Sequence, residues 1–78
     1  MFDIKQLLIN IEDRFPDCSI SMSKEQEGHI YQFNLKSDKF EVSVDILQMQ
    51  VHQTKNLIEL TELVCSELKN VADVYLQQ

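Results

Sequence analysis

The chain has 78 residues, of which 44% are apolar and only two are Gly or Pro, a composition that excludes a disordered segment and fits one small domain. Thirteen Asp and Glu against seven Lys and Arg give a net charge of −6, which opposes binding to nucleic acid and anionic membranes. We therefore expect a single domain over residues 1–78.

The cysteines and the N-terminus give no sign of secretion. Cys18 and Cys65 lie far apart in the sequence, without paired spacing or a nearby His cluster, so neither a zinc site nor a disulfide framework is predicted. The first residues form no basic and apolar leader, and no stretch approaches the ~18 apolar residues of a membrane span. We expect a cytoplasmic protein without a metal or cofactor.

The first predicted element is an amphipathic helix that ends before Pro16. Asp3 is its predicted N-cap, Gln6 the capping-box partner, and Phe2 the start of a hydrophobic staple. Ile9 projects opposite the apolar stripe, where it could belong to an interface. The stripe consists of residues at helical spacing: Ile4, Leu7, Leu8, Ile11 and Phe15.

Three strands follow, each alternating apolar and polar residues over residues 18–23, 31–36 and 40–46. Residues 24–28 are predicted to form a turn, and residues 37–39 a tight hairpin connection.

The alternation of the third strand breaks between Ile46 and Leu47, after which Leu47, Met49 and Val51 are the apolar residues. A shift of one residue turns the apolar side chains to the other face, so a β-bulge is predicted here, with a strand end covered on both faces as the alternative.

The last third of the chain, residues 54–76, is predicted to be one long helix. Its N-cap is Thr54 or Asn56, and Glu59 is the capping-box partner of Asn56. The predicted core stripe is formed by Leu57, Leu60, Val64, Leu68, Val71 and Tyr75. Apolar flanks make the arc too wide for a small domain to cover: Ile58, Cys65, Ala72 and Leu76 on one side, Leu63 and Val74 on the other.

The element order predicts an α+β fold: a helix, a three-stranded antiparallel sheet and a long C-terminal helix, with both helices on one face of the sheet. The other face carries polar residues and can stand in water. The predicted helix is over 30 Å long and the strands ~23 Å, so part of the helix must overhang the sheet or meet another surface.

The order helix, three strands, helix is also that of double-stranded-RNA-binding domains. The run from Gly28 and His29 to Phe33 resembles the loop-to-strand region of that family. The resemblance implies a duplex-binding fold, but the family's basic start of the second helix is replaced here by residues 54–59, in which Lys55 is the one cation. If the fold is shared, we expect RNA binding to be lost.

No combination of residues predicts catalysis. His29 and His52 have no Cys or His at metal-ligand spacing, and the alternating serines of the first strand lack a nucleophile elbow. The single Gly also excludes a glycine-rich phosphate loop. We therefore expect a protein that is not an enzyme.

Carboxylates spaced along the sheet and its loops could align as an acidic face for a basic partner, although scattered solubilising charge is the simpler interpretation. The candidate residues are Asp13, Asp17, Glu25, Glu27, Asp38, Glu41 and Asp45. The small size and the net negative charge of this chain are similar to those of phage-encoded antagonists such as anti-CRISPR proteins.

The leading hypothesis is a small acidic protein-binding domain, an inhibitor or adaptor that acts by contact. Two alternatives stay open: a module of double-stranded-RNA-binding topology with RNA binding lost, and a small acidic secretion-type chaperone. Self-association as a homodimer, or a partner, would use the apolar residues that a monomer leaves uncovered: Ile9, Leu63, Val74 and Leu76.

Overall fold

The computed structural model describes residues 3–25, 29–54 and 56–77. The predicted α+β fold is confirmed, with one additional short helix. The elements in chain order are α1 (Ile4–Arg14), β1 (Ser19–Glu25), β2 (Ile30–Lys36), β3 (Glu41–Leu47), α2 (Gln48–Gln53) and α3 (Leu57–Leu76).

Helix α1 begins as its sequence predicts. The carboxylate of Asp3 accepts a hydrogen bond from the backbone N–H of Lys5 at 3.0 Å, which satisfies one of the free donors of the first turn. The capping-box partner is wrong, because the side-chain amide of Gln6 donates to Asn10 Oδ1 at 2.9 Å. The predicted staple residue, Phe2, lies outside the described residues.

The sheet is antiparallel with the strand order β1-β2-β3. Phe33 in the central strand pairs with Met22 on one side and Val44 on the other, so the apolar positions of all three strands share one face. The hairpin at residues 37–39 is confirmed. Ser37 Oγ accepts from the N–H groups of Lys39 and Phe40, which fixes the turn.

Strand β1 runs further than its sequence predicts. Lys24 pairs with Tyr31 and Glu25 with Ile30, where a turn was expected. An edge strand tolerates a charged residue such as Lys24, whose side chain is exposed while its backbone keeps its pairing. The remaining residues of the predicted turn, 26–28, lie outside the described residues.

The predicted bulge after Ile46 is wrong. Pairing between β2 and β3 continues without a break to Ile30 and Leu47, and the chain then enters α2. The apolar residues after Ile46 therefore belong to a helical turn: Val51 is buried, whereas Leu47 and Met49 are exposed. A short run with an apolar residue at alternate positions does not distinguish a bulged strand from one helical turn.

Both long helices cover the apolar face of the sheet and touch each other. Helix α1 lies against β1, and α3 against β3. The completely buried side chains come from α1, β2 and α3: Leu7, Ile11, Phe33, Leu35, Leu60, Val64 and Leu68. The core therefore sits between the sheet and the two helices, and the described elements leave the polar face of the sheet uncovered.

Candidate functional site

The start of α3 is held by its own side chains. Asn56 is the N-cap, and its Oδ1 accepts from the N–H of Ile58 at 2.7 Å. One turn later Thr61, which is buried, donates its hydroxyl to the carbonyl oxygen of Leu57 at 2.8 Å. The helix therefore starts at Leu57, and the Asn56 alternative for the N-cap is confirmed. Glu59 lies in the first turn, where the helix dipole favours a negative charge.

The end of α3 is exposed. Val74, Tyr75 and Leu76, called the terminal turn below, are 58%, 48% and 56% exposed. Successive residues of a helix project about 100° apart, so these three point to different sides of the turn. The terminal turn therefore exposes apolar surface on more than one side of the helix.

Tyr75 was predicted to be a core residue, and that prediction is wrong. It lies at the helical angle of the core stripe, but it is in the last turn of α3 and about half exposed. At ~1.5 Å per residue the 20 residues of α3 span ~30 Å, against ~23 Å for a strand of seven residues. Tyr75 instead meets Phe40 at the end of the hairpin, with ring centroids 6.4 Å apart. The exposure of the terminal turn agrees with the expectation that part of α3 overhangs the sheet or meets another surface, and that expectation stays a prediction.

The other apolar flank residues have different surroundings. Leu63 is only partly exposed, because it packs against the core. Leu76 and Val74 belong to the terminal turn, and Ile9 is 50% exposed on the far side of α1. Ile58, which the sequence placed on the apolar flank of α3 but not among the expected contact residues, is 68% exposed. A contact role for the flank residues Ile9, Leu63, Val74 and Leu76 remains a prediction.

An open groove of ≈ 930 Å³ runs beside the terminal turn. Its walls are the chain after α1, the hairpin at residues 37–39 and one side of α3. The α3 side contributes the small residues Cys65, Ser66 and Ala72, together with Leu76. Small residues leave space that a side chain from another molecule can fill.

Charged residues of both signs surround the groove, among them Lys69 and Asp73 of α3. Arg14 and Glu62, which also line the groove, form a hydrogen-bonded ion pair that joins α1 to α3. The hydrogen bond to Arg14 holds the pKa of Glu62 below its usual range, and the same bond raises the pKa of Arg14. Both side chains are about half exposed, so the pair positions the helices more than it stabilises them.

Both cysteines lie on this groove, although they are distant in the sequence. Cys65 is buried, and desolvation raises the pKa of its thiol; the neighbouring Arg14 opposes that rise. Desolvation, with the charge of Asp17, also raises the pKa of Cys18. Both thiols are free and stay protonated at neutral pH, which makes them poor nucleophiles.

The strand register separates the carboxylates that the sequence suggested as one acidic face. Asp17 and Asp38 line the groove at one end of the sheet, while Glu25 ends β1 at the opposite end. Glu41 and Asp45 lie on the uncovered face of the sheet, and the amide of Gln32 donates to Asp45 at 3.3 Å.

Two of the candidate carboxylates remain, Asp13 and Glu27. Asp13 lies on the exposed side of α1 beside Ile58, and Glu27 is outside the described residues. The described members thus occupy several surfaces and form no single patch. A role for any of them in binding a partner remains a prediction.

Within residues 3–25, 29–54 and 56–77, no helix is long and apolar enough to cross a membrane. The same part of the chain contains no group of three or more His, Cys, Asp or Glu that could hold a metal ion. No family model matches the sequence, and neither does any curated protein or any solved structure.

Proposed function

We propose that this protein is a non-enzymatic cytoplasmic binding domain, an inhibitor or adaptor, and that the terminal turn of α3 with the adjoining groove is its contact surface. The observation that carries the proposal is the exposure of Val74, Tyr75 and Leu76, three consecutive apolar side chains. Exposed apolar clusters next to polar rims are typical of protein contact sites.

The shape of this surface supports the same proposal. The groove has the volume of a site that takes a side-chain cluster, and Leu76 of the terminal turn is one of its lining residues. A protein surface that fills the groove therefore also contacts Leu76. Tyr75 adds an aromatic ring with a polar tip, the kind of residue that is enriched at interface centres.

The uncovered sheet face is a second, polar surface for the same function. It presents Glu41 and Asp45 among serines and amides, with Lys36 opposite Glu41. We propose that this face adds electrostatic attraction toward a basic protein partner. Its contribution would be to association rate and specificity more than to affinity.

Direct binding to nucleic acid is not part of this proposal. Around the start of α3, Glu59 and Glu62 carry negative charge, and Arg14 is already paired with Glu62. A duplex would meet these carboxylates and the net charge of −6. Filter binding at low salt should detect no salt-dependent affinity for duplex RNA.

Quantitative affinity capture from an extract of the native host tests the proposal. The bait is the full chain, compared with the double variant Val74→Ser/Leu76→Ser. The matched control is Ile9→Ser/Ile58→Ser, which makes the same type of change at two exposed apolar residues elsewhere.

We expect a bound protein that the wild type and the control retain and that the terminal-turn variant loses at least tenfold. The bound protein is either another chain or a copy of this one. Equal capture by all three baits would place the contact elsewhere and overturn the proposal.

A further inference from the structure

We propose that the surface formed by the terminal turn and the groove binds a second copy of this chain, with the C-terminal halves of the two α3 helices antiparallel about a two-fold axis. This inference rests on the proposed function, since it names the occupant of the same contact surface. A two-fold arrangement closes after two copies, because each chain offers the same surface to the other.

Two oppositely charged residues on the groove side of α3 can pair with the same two residues of a second copy. Lys69 and Asp73 are exposed, lie one helical turn apart and both line the groove. Within the described parts of the chain the one ion pair is Arg14–Glu62. Neither Lys69 nor Asp73 therefore forms an ion pair there. Antiparallel pairing around residue 71 places Lys69 opposite Asp73 of the second copy, and the symmetry makes the same contact a second time.

The apolar residues fit the same register. Leu76 then lies opposite Ser66 of the second copy, beside its Cys65, where the small side chains of α3 leave the groove open. Each copy therefore inserts Leu76 into the groove of the other. Residues 65, 69, 72, 73 and 76 are spaced by one, three or four positions, so they share one side of the helix.

The helix dipole favours this orientation as well. The last turn of α3 has no basic residue, so its free carbonyl groups carry an unbalanced partial negative charge. In the antiparallel pair, Lys69 of the second copy lies within about one turn of that end. The contact is small, so the dimer is expected to be weak and concentration-dependent.

Sedimentation analysis of charge-reversed variants tests the pairing. Wild-type protein should show a weight-average mass that rises above the monomer value of 9.2 kDa as its concentration increases. Lys69→Asp and Asp73→Lys each place like charges at both contacts, and each should weaken association about tenfold or more. An equimolar mixture of the two variants should recover wild-type association, since every contact between unlike chains again joins opposite charges.

Matched control variants distinguish a loss of association caused by the lost pairing from one caused by net charge or by misfolding. Glu67→Lys changes charge by the same amount as Asp73→Lys, and Lys5→Asp by the same amount as Lys69→Asp, at exposed residues away from the groove. Both controls should associate like the wild type. Circular dichroism checks that each variant is folded, and recovery in the mixture requires both single variants to be folded.

The outcomes distinguish the two proposals. A wild-type mass that stays at 9.2 kDa up to millimolar concentration, or a mixture that fails to recover, would overturn the second-copy inference. If affinity capture nevertheless shows a different host protein that the wild type binds and the terminal-turn variant does not, the proposed function stands, with that protein as the occupant of the surface. If the wild type associates, the single variants do not and the mixture does, both proposals are supported.

Discussion

Leu68 and Leu76 are the same side chain in the same helix, yet Leu68 is completely buried and Leu76 is 56% exposed. They are eight residues apart and therefore project about 80° from each other, which is why the helical wheel places Leu68 in the core stripe and Leu76 on its flank. Tyr75 projects only about 20° from Leu68, yet it is 48% exposed. Burial at the residue scale is therefore not decided by helical angle alone, because the position along the helix matters as well.

Truncating these two leucines should give unequal losses of stability. Leu68→Ala removes a fully buried side chain and leaves a cavity, so we expect the free energy of unfolding to fall by about 2–5 kcal/mol. Leu76→Ala, the matched control, should change it by about 0.5 kcal/mol or less. Urea denaturation at a protein concentration low enough to avoid association measures both, and similar losses would contradict the burial assigned to Leu68.

The two thiols should react slowly and in a fixed order. Because burial raises the pKa of both, little thiolate is present at pH 7, and alkylation by iodoacetamide should accelerate only as the pH rises toward and above the ordinary thiol pKa of 9.0. Cys18 is partly exposed and should be modified before Cys65. Mass spectrometry of peptides sampled over time gives both rates, and rapid labelling of Cys65 at pH 7 would show that its surroundings are open.

At the scale of elements, the N-cap of α3 offers a direct test. Asn56→Ala removes the acceptor for the Ile58 N–H and should cost about 1 kcal/mol, whereas Asn56→Asp should keep the cap. Asn70→Ala is the matched control, because Asn70 is exposed in the helix interior and Ala favours a helix there. Thermal or urea unfolding measures the differences. A loss for Asn70→Ala equal to that for Asn56→Ala would show that the cap contributes nothing.

The ion pair between α1 and α3 should make stability depend on pH. The pKa of Glu62 is lowered in the folded state, so its contribution is fully present above its ordinary pKa of 4.5 and is lost as the pH falls through the folded value. Glu62→Gln should therefore lower Tm at pH 7, and its difference from the wild type should shrink below pH 4.5.

The control for that experiment is Glu67→Gln, an exposed position on the same helix. It should show no comparable loss at pH 7, because Glu67 has no ion pair in the described parts of the chain. A difference between wild type and Glu62→Gln that stays constant from pH 7 to pH 3 would mean that the pair is not formed in solution.

Most elements could be predicted from sequence, because local patterns decide them. Asp3 and Asn56 mark helix starts, and alternation predicts the inward residues of the strands. The failures concern places where local signals are ambiguous. Val51 fits a bulged strand and a helical turn equally well, and Lys24 could belong to a turn or to an edge strand. Tertiary pairing decides such cases.

For the whole molecule, the sequence predicts that α3 has more apolar surface than a monomer covers, and two of the residues named for it, Val74 and Leu76, are exposed. It does not predict the groove, since the groove depends on three segments meeting at one end of the sheet. For the same reason it could not show that Cys18 and Cys65 share a wall, or that Asp17 and Glu25 lie at opposite ends. These relations are set by strand register.

The central claim is that the terminal turn of α3 contacts another protein. Photo-crosslinking in the native host tests it most directly, with benzoylphenylalanine placed at Tyr75 or, as the control, at Ile9, two positions that are 48% and 50% exposed. We predict one discrete crosslinked product from Tyr75, either a dimer of this chain or an adduct with one other protein, and none of similar yield from Ile9. Equal or absent crosslinking at both positions would contradict the claim.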